Sequence, residues 1–285
     1  MFYTTFTSLF FLDIAVVGGH PLDGDLTVCR LFDADTEQWS GLPSTTVGRG
    51  FWPAVAVVRR KKCHRIYVFG GRDGGWRLDS CEFLDVDEDQ WTLLGAKMAR
   101  PRSSACAVLL DDTTIVICGG ASTYDKETDS CESLDLNTHT FSPFPDMLAP
   151  RYGHAAVRYN ETIVALGGHD KRKTCEQFDP AVCKWTPFPP LSEGRAYPGA
   201  AVVENNIYVA GDSMWVDMYD GAVWERVMFL PPRREHCTAV ALGGKLVVLG
   251  GGSVEIDIVD PATRAALHLP SEIQCGRRCT VAVSF

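Results

Sequence analysis

The residues that could carry chemistry are plentiful but scattered. Across 285 positions the chain holds eleven cysteines, seven histidines and 36 carboxylates against 27 lysines and arginines, for a formal net charge of −9. No two cysteines stand in a C-x-x-C spacing, so neither a zinc ribbon nor a redox dithiol is supported. A chain of this length can bury a core without disulfides. Reduced thiols in the cytoplasm, or the nucleus, are the simplest account of singly placed cysteines. His154 and His236 read as one register position in two small-residue segments, and His20 and His169 each follow a glycine pair; no metal-ligand spacing unites them. There is no Gly-Lys-Ser/Thr phosphate loop and no G-x-G-x-x-G after a strand. Nothing marks a Ser-His-Asp or Cys-His set. No cofactor and no metal are expected. The acidic balance argues against nucleic acid, which needs a basic stripe.

The elements that must position these groups form a repeat, and repeats of 20–50 residues decide the architecture. A Val/Ile-rich run ends in Gly-Gly at Gly19, Gly71, Gly120, Gly168 and Gly251, with a degenerate copy ending at Gly211. Short apolar runs bounded by glycine and polar turns are buried strands. An alternating segment then ends in Asp33, Asp85, Asp135, Asp179, Asp220 and Asp260. Trp39, Trp91, Phe141 and Trp185 follow six residues later, Trp224 follows sooner, and the sixth copy offers only Leu267. Such a ring is a core anchor. Each unit opens with an arginine and a strand of small residues, from Arg49, Arg102, Arg151, Arg195 and Arg233. The chain ends with the same element from Arg277. Small residues suit an innermost strand, where space is tight. Cys29, Cys81, Cys131 and Cys175 share one repeat position and read as strand packing.

Four strands at a period of 40–50 residues make a propeller blade. The expected fold is all-β: a six-bladed β-propeller, four antiparallel strands per blade, with the C-terminal strand closing the first blade. Residues 1–12 are expected to be a leader or disordered segment, and residues 13–285 one propeller. TTFTSLF near the N-terminus competes for the closing position but lacks the arginine and the small residues. The leader is too short to span a membrane and lacks the basic flank of a signal peptide.

In this pattern the chain resembles the Kelch-repeat family, whose blades run from an apolar strand and Gly-Gly to Tyr-Asp, then Trp six residues on. The departures are Ala210 for the first glycine of blade five, the missing Trp of the last blade, and Tyr at only one Tyr-Asp site, Tyr219. The resemblance implies a protein-interaction module, with substrate recognition for a ubiquitin ligase as its most concrete form. The expected partner is a protein or peptide, an acidic one in particular, bound by a monomeric propeller. The competing reading is a catalytic propeller acting on a sugar, mutarotase or galactose-oxidase-like. Nitrile-specifier relatives hold iron with Glu-x3-Asp-x3-His. Here Cys131, Asp135 and His139 have that spacing, but Asp135 is the repeat aspartate.

Topology gathers the loops after each glycine pair and before each arginine on one face. Loops on a rigid scaffold carry binding residues, and Trp, Tyr and Arg dominate hot spots. The candidate ligand-binding residues are therefore Arg72, Trp76, Arg77 and Tyr124 in the long loops. Arg102, Arg151 and Arg195 join them, expected to ring the channel mouth where guanidinium forks suit carboxylates. The arginines have a structural alternative, bonding to carbonyls or carboxylates of their own fold. RRKKCHR (59–65) on the opposite face is a solvated hairpin tip or an anionic contact.

Overall fold

A computed structural model of the chain describes residues 13–18, 26–34, 36–60, 63–122, 126–170, 172–251, 255–270 and 281–284. Among them there is no α-helix, and so no helix long and apolar enough to cross a membrane. Six four-stranded antiparallel sheets form the blades, as the repeat requires. Blade two shows the plan: an inner strand Ala54–Arg60, a second strand Cys63–Phe69, a third Cys81–Asp85 and an outer strand Gln90–Leu93.

The first blade closes the ring. Its second strand, Asp13–Val17, pairs with Cys29–Asp33 on one side and with Val281–Ser284 on the other. Ile14 lies opposite Ser284 and Val17 opposite Val281. The strand taken from the C-terminal end removes what would otherwise be two unpaired edges. The leader, TTFTSLF and Arg277 lie outside the described residues.

The core is divided among the blade interfaces. Each second strand is an apolar run because both its faces are covered. Ile14 and Val16 pack against Val240, Leu242 and Val247 of blade six, while Ala15 and Val17 pack against Val55, Ile66 and Trp91 of blade two. The same alternation fills the interfaces of blades two and three, three and four, four and five, and five and six. The tryptophans are anchors with a polar handle. The indole Nε1 atoms of Trp91, Trp185 and Trp224 donate to the carbonyls of Pro43, Pro145 and Pro189, at 2.8, 2.9 and 2.9 Å. Each therefore pins the connection from the preceding blade. The sixth unit has no such ring, and Leu267 lies exposed.

The repeat aspartates are turn caps. Asp135 Oδ1 accepts from the backbone N–H of Asn137 and Thr138, both at 2.8 Å; Asp220 and Asp260 do the same in their own turns, and Asp179 Oδ1 accepts from Ala181 N at 2.8 Å. These bonds hold Asp135, Asp220 and Asp260 below the usual carboxylate range. The Cys131–Asp135–His139 spacing is thereby explained without iron: Asp135 caps its turn, and Cys131 is buried in the interface of blades three and four. Cys29, Cys81, Cys131 and Cys175 are all buried.

Deleting residues 281–285 should lower stability by about 2–4 kcal/mol, from ladder hydrogen bonds worth about 1 kcal/mol each. Denaturant unfolding measures it, and an unchanged midpoint would show that the ring does not depend on this strand.

Candidate functional site

Five arginines repeat one structural device. Arg49, Arg102, Arg151, Arg195 and Arg234 are each between 0% and 3% exposed. Nη1 of each donates to the carbonyl of the first glycine of its own blade: Gly70, Gly119, Gly167, Gly211 and Gly250, at 2.7–3.0 Å. The rest of each guanidinium meets a buried carboxylate on the third strand. The pairs are Arg49–Glu82 at 2.5 Å, Arg102–Glu132 at 2.6 Å, Arg151–Glu176 at 2.5 Å, Arg195–Asp217 at 2.8 Å and Arg234–Asp257 at 2.6 Å. The backbone of the same arginine joins the preceding blade. Arg102 N donates to Leu78 O and its carbonyl accepts from Gly71 N; Arg151 does likewise with Thr128 and Gly120.

This geometry corrects the expected arginine ring. Arg102, Arg151 and Arg195 lie inside the blade walls with their charge met by a carboxylate, so they offer no guanidinium at the channel mouth. The sequence signal for the partner is an acid three residues before each repeat aspartate. It is Glu or Asp in blades two to six and Arg30 in blade one. The repeat arginine of blade six is Arg234, not Arg233. His154 and His236 consequently differ by one position: His236 stands where blade four has Gly153, two residues after the arginine.

Arg233 has a different partner. Blade five keeps the first glycine, Gly211, which accepts from Arg195; Asp212 occupies the place of the second. Asp212 adopts φ +53°, and its amide donates to Arg234 O. Its buried carboxylate accepts from Ala196 N at 2.8 Å and pairs with Arg172 at 3.3 Å and with Arg233. One carboxylate thus joins blades four, five and six.

Trp76 is the most exposed large apolar side chain described, at 83%. It lies on a small hairpin, Arg72–Asp73 paired with Trp76–Arg77 around Gly74-Gly75, where Gly74 takes φ +56°. The hairpin is tied down: Arg72 N donates to Phe51 O at 3.0 Å, and Arg77 Nε to Ser103 Oγ at 2.9 Å. The structure therefore groups Arg72, Trp76 and Arg77 on one finger over the loop face. Tyr124 lies outside the described residues. Sequence reading missed a second exposed group on this face, Met214, Trp215 and Phe229 of blade five, with the two rings 5.1 Å apart.

It also missed the channel mouth. Just before the inner strands, Trp52, Ser104, Gly153, Tyr197 and His236 all have φ between +50° and +58°. Left-handed backbone costs a non-glycine residue about 1–3 kcal/mol. Their backbones form a chain of hydrogen bonds around the axis: Ser104 N to Trp52 O, Gly153 N to Ser104 O and Tyr197 N to Gly153 O, at 2.9, 3.0 and 2.7 Å. The Trp52 ring stacks on Tyr197 at 5.7 Å and meets His236 at 6.0 Å, and Tyr197 lies 4.1 Å from His236. Tyr152 and His169 extend the cluster. The only sequence signal was bulky rings in the register just after the arginines.

Beneath the rings runs a cavity of about 390 Å³, walled by the inner strands of blades two to six. Two of its titratable groups, His154 and Cys106, are held uncharged. Burial, with the Arg151 charge nearby, pushes His154 down to about 3, and burial pushes the Cys106 thiol up to about 12. His154 Nε2 lies 3.6 Å from Cys118 Sγ. Among the described residues one group of three could approach a metal ion: Glu255, Asp257 and His268 of blade six. Asp257 already pairs with Arg234 and, at 2.6 Å, with His268 Nδ1.

A closed ring of six four-stranded blades, stitched by a repeated arginine, is a β-propeller. A profile of the KLHDC2/KLHL20/DRC7 Kelch-repeats domain matches residues 10–212, and the chain belongs to the Kelch-repeat family. It is 27% identical over 248 residues to Kelch-like protein 23 of Homo sapiens, covering 80% of this chain and 42% of that protein. It is 29% identical over 227 residues to spermatocyte protein spe-26 of Caenorhabditis elegans, covering 70% of this chain and 38% of that protein. The chain thus spans about two-fifths of the length of these curated relatives. The solved structure of YjhT superposes with a TM-score of 0.78 at 14% identity, over 92% of this chain and 95% of that one. That likeness is one of fold.

Two predictions follow from this geometry. Glu132→Ala leaves Arg102 buried and unpaired, and should cost about 3–5 kcal/mol in denaturant unfolding. His154 is neutral when folded and binds a proton near pH 6.5 when unfolded. Its contribution is therefore complete above about pH 6.5 and is lost as pH falls toward 3, by up to roughly 1.4 kcal/mol per unit. Between pH 7 and 5, His154→Gln should flatten the loss of stability; an equally steep profile would count against the assignment.

Proposed function

We propose that this chain is a non-catalytic recognition module that binds a protein or peptide through the loop face of the propeller. The observation that carries the proposal is the hairpin of Arg72, Trp76 and Arg77. The fold holds a tryptophan 83% exposed on an ordered two-stranded finger, where its ring gains little burial from the chain itself. Anchored aromatic and arginine side chains are the usual centres of binding energy. Arg72 and Arg77 flank Trp76 on the same finger and suit a carboxylate-bearing segment, since guanidinium forks pair with carboxylates. Membership of the Kelch-repeat family and the Kelch-like relatives support a protein partner. The uncharged state of His154 and Cys106 also favours binding over acid–base catalysis.

In its more specific form, the module selects substrates for a ubiquitin ligase. The ligase machinery would then be supplied by a further segment or a separate subunit.

The test is affinity capture of partners with the wild-type chain and with Trp76→Ala, followed by titration of the captured partner. Trp76→Ala should weaken binding by about 2 kcal/mol or more while leaving the melting temperature unchanged. Equal affinity in the two proteins would remove the finger from the site. Ubiquitination of the captured partner in a reconstituted ligase reaction, lost with Trp76→Ala, tests the more specific role.

A further inference from the structure

The cavity under the aromatic roof is not used by the finger, and its chemistry differs from that of the loops. Of the described residues lining it, only Arg158 carries a permanent charge, and that charge is met by Glu161 at 2.6 Å. The wall is mostly alanine and valine from the inner strands, and His154 is kept neutral. A charged ligand would lose its hydration there without a free counter-charge. The volume of about 390 Å³ lies within the range of small-molecule pockets.

Two observations say that the space is built for an occupant. The first is the roof. Gly153 takes the left-handed backbone of the mouth freely, whereas Trp52, Tyr197 and His236 hold the same conformation under strain. Together these rings make an aromatic surface at the cavity mouth, contributed by blades two, five and six. The second is a pair of buried nitrogens. Trp52 Nε1 and His154 Nδ1 have no hydrogen-bond partner among the described residues, and His154 is only 6% exposed. Both residues line the cavity. An indole N–H can only donate, so it calls for an acceptor.

We propose that the channel is a binding site for a neutral, flat, largely apolar small molecule carrying a carbonyl or similar acceptor. Its ring system lies under Trp52 and Tyr197, and its acceptor oxygen takes the Trp52 Nε1 hydrogen. This site is separate from the Trp76 finger, so the two assignments stand or fall independently.

The probe is prodan, a neutral naphthyl ketone dye whose emission shifts to the blue in apolar surroundings. Titrated into the intact chain, it should bind with one-to-one stoichiometry and a dissociation constant of about 100 µM or tighter. Trp52→Phe keeps an aromatic ring at the mouth and removes the donor, and should weaken binding about tenfold. Ala107→Leu and Ala200→Leu narrow the cavity and should abolish the blue shift in whichever of them melts cooperatively. If neither folds, Trp52→Phe decides. Trp76→Ala should bind prodan as the wild type does. Anilinonaphthalene sulfonate, an anion with the same ring system, should bind at least about tenfold more weakly. The proposal is overturned if prodan does not bind, if it binds equally well to Trp52→Phe, if a folded cavity-narrowing variant keeps the blue shift, or if the anion binds as tightly.

Discussion

Blades two to six of this propeller are each held in register by a buried guanidinium. Each of the five described arginines bonds its own blade with its side chain and the preceding blade with its backbone. Each sits where a second strand ends, a third begins and the next inner strand starts. A buried ion pair is weak evidence for stability in general, because desolvation offsets the attraction. Here the cost is met by further bonds. In blade three, Arg102 reaches the carbonyls of Gly119 and Ser130 as well as the Glu132 carboxylate. Glu132 in turn accepts from Ala99 N in the connection arriving from blade two. The pair therefore fixes where one blade stops and the next starts, a matter of geometry on which apolar packing between sheets is silent.

The same interaction explains how much of the molecule was legible. The fold could be read because its period is written in backbone-determining residues: paired glycines, turn-capping aspartates and anchoring rings. The closing strand could be read because it repeats a small-residue pattern found at the head of every other blade. The role of the arginines could not be settled from their own positions, since a repeated arginine suits either a ligand or a carboxylate of the fold. The deciding signal was an acid 22–33 residues further on, a distance that varies because the intervening loops vary in length. Counting back from the repeat aspartate would have found it. Asp212 and Arg233 misled the alignment of blades five and six by one residue each, because a clasp between them replaces a glycine.

The crowding of loops on one face was legible in the repeat; which side chains stand out on it was legible only in part. Trp76 stood out because it falls in a Gly-Gly hairpin with no strand to bury it. The rings at the mouth were overlooked because Trp52, Tyr197 and His236 look like ordinary members of a strand. Only the left-handed backbone at this position turns them over the axis, and no local sequence rule announces that conformation for a tryptophan.

The closure of blade one has a topological consequence. Residues 14 and 284 are neighbours in one sheet, and the six apolar interfaces are alike in kind. The ring therefore has no intrinsic beginning. Joining the two strands of blade one and cutting the chain at a hairpin such as Asn160-Glu161 would give a circularly permuted protein with the same sheets, stitches and channel. The order of blades along the polypeptide is an accident of where the chain is opened; the order around the axis is what the arginines enforce.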